Sequence, residues 1–284
     1  MRIGAVIQAR TSSTRLPGKV LKDLPYGSGT TVLDQVIRRV KRARRLDEIV
    51  VATTEEPEDA EIVRIARNRG VRHHRGSTRD VLGRFYAAAG RYGLDVVVRV
   101  TSDCPCIDPG LIDAVIERHL CAKADYTANT LARTFPRGMD VEVMNFGVLE
   151  KAFSEAVDAY EREHVTPFVY ERGRRLFRIE GFESAAEAGL SDIRITLDTE
   201  EDYALLCAVF DYLYDENEFF GVEEILDLFA GKPWLKLINS RVSQKRAPGT
   251  LAEEMEEALR LLGLQELHRA RKLLEERYEG LHID

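Results

Sequence analysis

Residues 9–21 read ARTSSTRLPGKVL, a stretch with far more polar function than a turn needs. Cations stand at Arg10, Arg15 and Lys19, hydroxyls at Thr11, Ser12, Ser13 and Thr14, and Pro17-Gly18 forces a bend. A triphosphate needs several donors converging in a water-poor cleft. Loop N–H groups, hydroxyls such as Ser13 and Thr14, a forked guanidinium and a lysine supply them. The G-x-x-x-x-G-K-[ST] spacing of a Walker loop is absent, and no G-x-G-x-x-G follows. Charge runs more often simply face water. Position argues otherwise here: the stretch directly follows the apolar run IGAVIQA, and α/β sheets bind ligands beyond the C-terminal ends of their strands.

Two aspartates complement those cations. Asp103 ends DVVVRVTSD and Asp198 ends IRITLD, both reading as strands. Magnesium takes one or two carboxylates together with phosphate oxygens, and a carboxylate at each of two strand ends, facing a polyphosphate loop, would meet that need. Plainer roles compete: a turn or helix cap for Asp103, a helix N-cap for Asp198 ahead of TEEDY. Asp108 before Pro109 reads as the cap of the next helix. Gly76 and Ser77 suit close approach to a base or ribose, but an N-capped helix starting at Ser77 or Thr78, with Asp80 in its first turn, explains the same residues. Arg137, Asp140 and Glu142 are polar groups in a short-strand context, and Glu163 and His164 fall in a helical pattern. A lone histidine is more often structural than catalytic. His73 and His74 are neighbours on a strand and point to opposite faces, so they make no metal pair.

The elements that must position these groups alternate. After IGAVIQA come a helical TVLDQVIRRVKRAR, the strand EIVVATT, the helix PEDAEIVRIARNRG, the short strand VRHH, the helix RDVLGRFYAAAGRYG, the strand DVVVRVTSD and the helix DPGLIDAVIERHL. Such alternation implies an α/β fold, a mainly parallel twisted sheet with helices on both faces. From 124 to 200 the pattern is mixed: ADYTANT, MDVEVMN, FRIEGFE and DIRITLD read as strands, GVLEKAFSEA and EREHVTPFVYERG as helices. EDYALLCAVFDYLYDE is helical, and residues 230–249 are loop-like. Pro248-Gly249 marks a boundary, so residues 1–245 form the α/β domain and 246–284 a helical extension, either one helix broken near Gly263 or a helical hairpin. Its amphipathic stripe suits packing on the main domain or on a second copy, a homodimer.

Composition bounds the possibilities. The 284 residues are 44% hydrophobic and 31% charged, an ordinary globular composition. No run approaches the roughly 18 apolar residues of a spanning helix, and MRIGAVIQAR starts a strand at once without a basic leader, so no membrane partner and a cytoplasmic location are expected. The net charge of −7 argues against a nucleic-acid partner. Charge is uneven: residues 1–45 hold eleven Lys/Arg and two Asp/Glu, a pattern suited to a small polyanion bridged to carboxylates by a cation. Cys104 and Cys106 form a C-x-C, not a zinc or thioredoxin spacing, so no sulfur-bound metal is expected.

The segment IQARTSSTRLPGKVL resembles the signature of sugar cytidylyltransferases, closest to the spore coat polysaccharide biosynthesis branch, which is related to the acylneuraminate and keto-deoxyoctonate enzymes. GSTRDVLGRF (76–85), RVTSDCPCIDPGLID (99–113), FPRGMDVEV (135–143), EREHVTPFVYE (161–171) and RITLDTEEDY (194–203) agree with that branch. The resemblance covers about residues 1–240. It implies a nucleotidyltransferase fold of the nucleotide-diphospho-sugar transferase type, which moves CMP from CTP to a small sugar or sugar-acid acceptor and releases pyrophosphate. It also implies that Arg10, Arg15 and Lys19 hold the triphosphate, that Gln8, Ala9 and Arg10 lie near the cytosine, and that Ser77 borders the base. Asp103 and Asp198 are then the Mg2+ ligands, and Arg137, Asp140, Glu142, Glu163 and His164 line the acceptor side. Two rivals remain. A nucleotide-sugar-dependent glycosyltransferase shares the strand-end aspartate, but TSDCP lacks the second Asp of an Asp-x-Asp motif. A non-catalytic nucleotide-binding or assembly protein would use the C-terminal helices.

Overall fold

The computed structural model describes residues 1–184, 192–242 and 251–279. The chain divides into two compact units, Met1–Val242 and Ser243–Asp284. The expected boundary at 245/246 and Pro248-Gly249 lie outside the described residues.

In the first unit seven strands form one sheet in the order β3-β2-β1-β4-β6-β5-β7. They are β1 (Ile3–Gln8), β2 (Glu48–Thr54), β3 (Arg72–Gly76), β4 (Val96–Thr101), β5 (Tyr126–Ala128), β6 (Glu142–Asn145) and β7 (Ile179–Gly181). Strand β6 pairs antiparallel with β4 and β5; every other pairing is parallel. The central strands are apolar on both faces because both faces are covered. On β1, Ala5 and Ile7 join one core layer and Val6 the other; on β4, Val96, Val98 and Val100 oppose Val97 in the same way. The first layer takes α1 (Val32–Val40), α2 (Ala60–Asn68), α4 (Pro109–Ala122), α7 (Glu200–Leu213) and α8 (Val222–Gly231), and the second takes α3 (Val81–Arg91) and α5 (Phe146–Glu155). This is the expected α/β sheet with helices on both faces.

Local signals set the helix ends. Thr31 and Asp34 form a capping box on α1, and Asp108 caps α4 through the N–H groups of Gly110 and Leu111. Asp80, rather than Ser77 or Thr78, caps α3 by accepting from Gly83 N–H. Ser77 Oγ instead accepts from the N–H groups of Arg79 and Asp80 in the preceding turn.

Three expectations between 124 and 240 need correction. DIRITLD is no strand: among the described residues it makes a single bridge, Arg194 to Arg137, and the partner chain takes φ 104 at Gly138 just after that bridge. EREHVTPFVYERG is not one helix. Short α6 (Ala159–His164) stops at Val165, and a π-helical turn covers Phe168–Arg172. Pro167 has no N–H for the helical ladder and disfavours α geometry at Thr166. Val165 therefore sits at φ 73, ψ −53, with Thr166 N–H donating to His164 O at 2.9 Å. That is a γ-turn, a strained geometry for a β-branched residue. The segment read as loop holds a 3-10 turn at Pro233–Leu237, and α8 precedes it.

The second unit contains α9 (Leu251–Leu264) and α10 (His268–Glu279). Gly263 lies inside α9; the break falls at Glu266, φ 55. Among the described residues no helix is long and apolar enough to cross a membrane.

Candidate active site

The loop after β1 is held from both ends. Leu16 and Val20 are buried in the core, and Gly18 takes φ 67, a left-handed turn that costs glycine least. Thr11 O accepts from the N–H groups of Ser13 and Gly18, each at 2.9 Å. Thr11 itself is tied to Asp59, which accepts from Thr11 N–H at 2.8 Å and Thr11 Oγ1 at 2.6 Å. Asp59 also accepts from the hydroxyls of Thr53 and Thr54 at the end of β2. Burial alone would raise the Asp59 pKa, but these donors hold it below the ordinary carboxylate value. Asp59 is a positioning residue that the sequence reading missed. Its only signal was an acidic side chain just beyond a parallel strand end.

With the loop pinned, Lys19 points into a cluster of oxygens. Its Nζ lies 2.7 Å from Asp103 Oδ2, 2.7 Å from Leu197 O and 2.9 Å from Asp198 Oδ1. Burial pushes the ammonium toward losing its proton, yet Asp103 and Asp198 outweigh that and raise its pKa. Arg15 Nη2 stands 3.0 Å from Asp198 Oδ2, and Arg194 Nη2 donates to the same oxygen at 2.8 Å. Burial opposes ionisation of Asp198, but Lys19, then Arg15 and Arg194, bring its pKa down to about 2. Arg194 is gripped in turn by buried Asp202, with Nε to Oδ1 at 2.9 Å, and Asn239 Nδ2 donates to Asp202 at 2.8 Å. The backbone locks this geometry: Leu197 N–H donates to Asp103 O at 2.8 Å, although the two residues are far apart in sequence. Asp198 is not the cap of α7. Thr199 takes that role in a capping box with Asp202, which leaves the Asp198 carboxylate to the cations.

The other expected nucleotide residues divide. Gln8 closes β1, and its Oε1 is buried without a hydrogen-bond partner. Ala9 spends its N–H on Ala52 O at 3.1 Å and its methyl is in the core, so only its carbonyl remains for a ligand. Ser13 Oγ accepts weakly from Leu16 N–H at 3.4 Å, and Thr14 is exposed. Arg10 does not join the Lys19–Arg15 cluster; it faces Glu163 on α6 at 3.6 Å. Ser77 follows the edge strand β3, which lies three strand positions from β4, about 14 Å at ordinary strand spacing. It therefore stands apart from the Asp103–Asp198 pair. Most of the basic block 1–45 is structural: Arg39 lies buried over the Phe220 ring, Arg38 pairs with Glu218 and Arg45 with Glu117.

A polar cavity of about 180 Å³ is lined by Arg99, Thr130, Arg133, Asp140, Glu142, Tyr160, His164, Thr166 and Tyr170, and Cys104, the neighbour of Asp103 in the chain, feels the charge of its wall residue Asp140. Asp140, Glu142 and His164 were expected there. Arg133 forks onto Asp140 at 2.8 and 3.2 Å. Arg99 pairs with Glu142, whose other oxygen accepts from Tyr126 Oη at 2.6 Å. Arg99 and Arg133 were missed because each takes its meaning from a partner on another strand or loop. Arg137 is not among the residues lining the cavity; its backbone bonds Ile193 and Ile195. Buried Cys104 joins the two sites: burial, then Asp103 and Asp140, push its thiol pKa well up. The four cysteines are free thiols, and the described residues hold no group of three or more His, Cys, Asp or Glu side chains placed to bind a metal.

An ammonium and guanidinium cluster next to a small polar cavity, at the C-terminal edge of a mainly parallel sheet, is the arrangement a nucleotidyltransferase needs. The family model for cytidylyltransferase matches residues 5–244. The chain belongs to the cytidylyltransferase family. A cytidylyltransferase is a CTP-using nucleotidyltransferase, which sets aside the glycosyltransferase and assembly readings. This cytidylyltransferase is 39% identical over 249 residues to an uncharacterized protein of Methanocaldococcus jannaschii, covering 86% of this chain and 97% of that one. It is 34% identical over 233 residues to a spore coat polysaccharide biosynthesis protein of Bacillus subtilis, covering 80% of this chain and 94% of the relative. A solved cytidylyltransferase structure from Leptospira borgpetersenii superposes with a TM-score of 0.77 at 35% identity, covering 87% of this chain and all of that one.

Proposed function

We propose that this cytidylyltransferase joins CMP from CTP to a hydroxyl or acid group of a sugar or sugar acid, releasing pyrophosphate, in the cytoplasm. The observation that carries the reading is the convergence of Lys19 and Arg15 on Asp103 and Asp198 beside the polar cavity. The polysaccharide role named for the Bacillus subtilis relative supports a sugar acceptor.

Arg15 and Lys19 would hold the β- and γ-phosphates and stabilise the departing pyrophosphate, work that is positioning and electrostatics. Arg10, with Ser13 and Thr14, would serve the phosphates from the other side of the loop. Gln8 carries an acceptor without a partner, suited to a base N–H, with the Ala9 carbonyl and Ser77 nearby on the base side. Asp140, Glu142 and His164, backed by Arg99 and Arg133, would hold acceptor hydroxyls and orient one toward the α-phosphorus; Arg137 and Glu163 border that side.

Asp103 and Asp198 would hold a divalent metal. Their carboxylates and Leu197 O already surround one cationic atom, and an all-oxygen set with two carboxylates suits Mg2+. Bound there, Mg2+ would neutralise phosphate charge and align the reacting oxygens.

The test is to incubate the protein with each of the four nucleoside triphosphates, Mg2+ and a pool of cell metabolites, and to identify products by mass spectrometry. A CMP-linked sugar or sugar acid formed from CTP alone is expected. A nucleotidylated product from another triphosphate, or a non-sugar product, would replace this reading.

A further inference from the structure

Lys19 stands where a divalent cation would have to go. Its Nζ contacts Asp103 Oδ2, Leu197 O and Asp198 Oδ1, all within 2.9 Å, so its three N–H donors each have an oxygen. The ammonium is nearly enclosed, with 12% of its side chain exposed. Local charge is balanced as well. Asp103, Asp198 and Asp202 are matched by Lys19, Arg15 and Arg194. A dication arriving alone finds no excess negative charge to draw it in and must compete with a cation already bound. A triphosphate changes both conditions, because it offers Lys19 and Arg15 new anionic partners and brings negative charge into the cluster.

We propose that Lys19 is a built-in competitor for the metal position. It keeps the carboxylate pair closed to metal alone and releases it when nucleotide phosphates draw the ammonium away, so that metal and nucleotide bind as a coupled pair. This rests on the metal assignment proposed above. The coupling is a difference in affinity between two states of one side chain. A metal-competent state populated at about 10% or less weakens apparent affinity about tenfold or more.

Mn2+ binding, followed by the electron paramagnetic resonance signal of the free ion, tests this without turnover. Wild type, Lys19→Met, Lys19→Ala and the double variant Lys19→Met/Asp103→Asn are titrated with Mn2+, with and without CTP and with no acceptor, and the Mn2+ taken up by the same CTP without protein is subtracted. Circular dichroism establishes which Lys19 variants are folded. Wild type is expected to bind Mn2+ weakly alone and more tightly with CTP. A folded Lys19 variant should bind Mn2+ alone about tenfold more tightly than wild type and gain less from CTP, and the double variant should lose that gain. Equal Mn2+ affinity of wild type and Lys19 variants without CTP would overturn the proposal. So would wild-type affinity that CTP leaves unchanged, or tight binding that survives loss of Asp103. If no protein binds Mn2+ even with CTP, the metal assignment itself fails and the competitor role with it.

Discussion

Asp198 is contested by Lys19, Arg15 and Arg194 at once, and the first two are the donors proposed for a leaving pyrophosphate. Arg15→Ala or Lys19→Ala should lower kcat by about 10² or more, the scale for losing one transition-state donor; steady-state turnover at saturating CTP checks this. Buried Arg84 behaves differently. It donates Nη1 to Ser77 O at 3.0 Å, while Nε and Nη2 are buried without partners. Burial and the nearby Arg10 push its pKa down to about 10. Asp59 and Asp80 offset that charge only in part, and a buried donor left without a partner costs about 1–3 kcal/mol. Arg84→Met should therefore raise the thermal midpoint while weakening CTP binding through the untethered Ser77 turn; calorimetry and KM measurements read the two effects separately. At this scale the sequence was legible where residue types crowd into one loop. Lys19, Arg15 and Asp103 stood out because a hydroxyl- and cation-rich turn or a strand-end aspartate is unusual by itself. Asp59, Arg84, Arg194 and Asp202 did not, because each is an ordinary side chain until tertiary contact gives it a partner.

Among the elements, the first four strand-helix units were readable from their alternation, since β1, β2 and β4 hold buried apolar runs and α1, α3 and α4 carry side-chain caps; β3, RHHRG, was carried by its place in that alternation. The region 124–200 was not. Its strands are three or four residues long, and the segment carrying Asp198 is aligned by one bridge instead of a ladder. Gly138 makes that bridge possible. A Cβ there would stand 2.5 Å from Ile195 O, and φ is 104. Gly138→Ala must push the 193–198 segment off its seat, since the obstacle is backbone. A loss of about 1–3 kcal/mol is expected for the strained backbone, seen as a lower urea midpoint, together with reduced turnover as Asp198 leaves Lys19.

For the whole molecule, the cluster couples stability to pH. Asp198 titrates near 2 in the folded protein against an ordinary 3.8. Its contribution is fully present above the unfolded value and is lost as pH falls from about 4 toward 2, about 2 kcal/mol in all. Lys19 works in the opposite sense: its raised pKa gives stability that is present below the ordinary lysine value and lost as pH climbs through the folded one. Asp198→Asn should flatten the acid limb, which urea unfolding at pH 4.5 and 2.5 would reveal.

The Lys19–Asp198 contact spans 179 residues, and that distance matters during synthesis. A ribosome adding about 5–20 residues per second takes roughly 10–40 s to travel from the lysine codon to the aspartate codon. For that interval the emerging loop carries its cations without the later carboxylate. A nascent chain stalled before Asp198 would own the loop after β1 and the sequence of all seven strands, yet lack one of the two carboxylates that hold the ammonium in place.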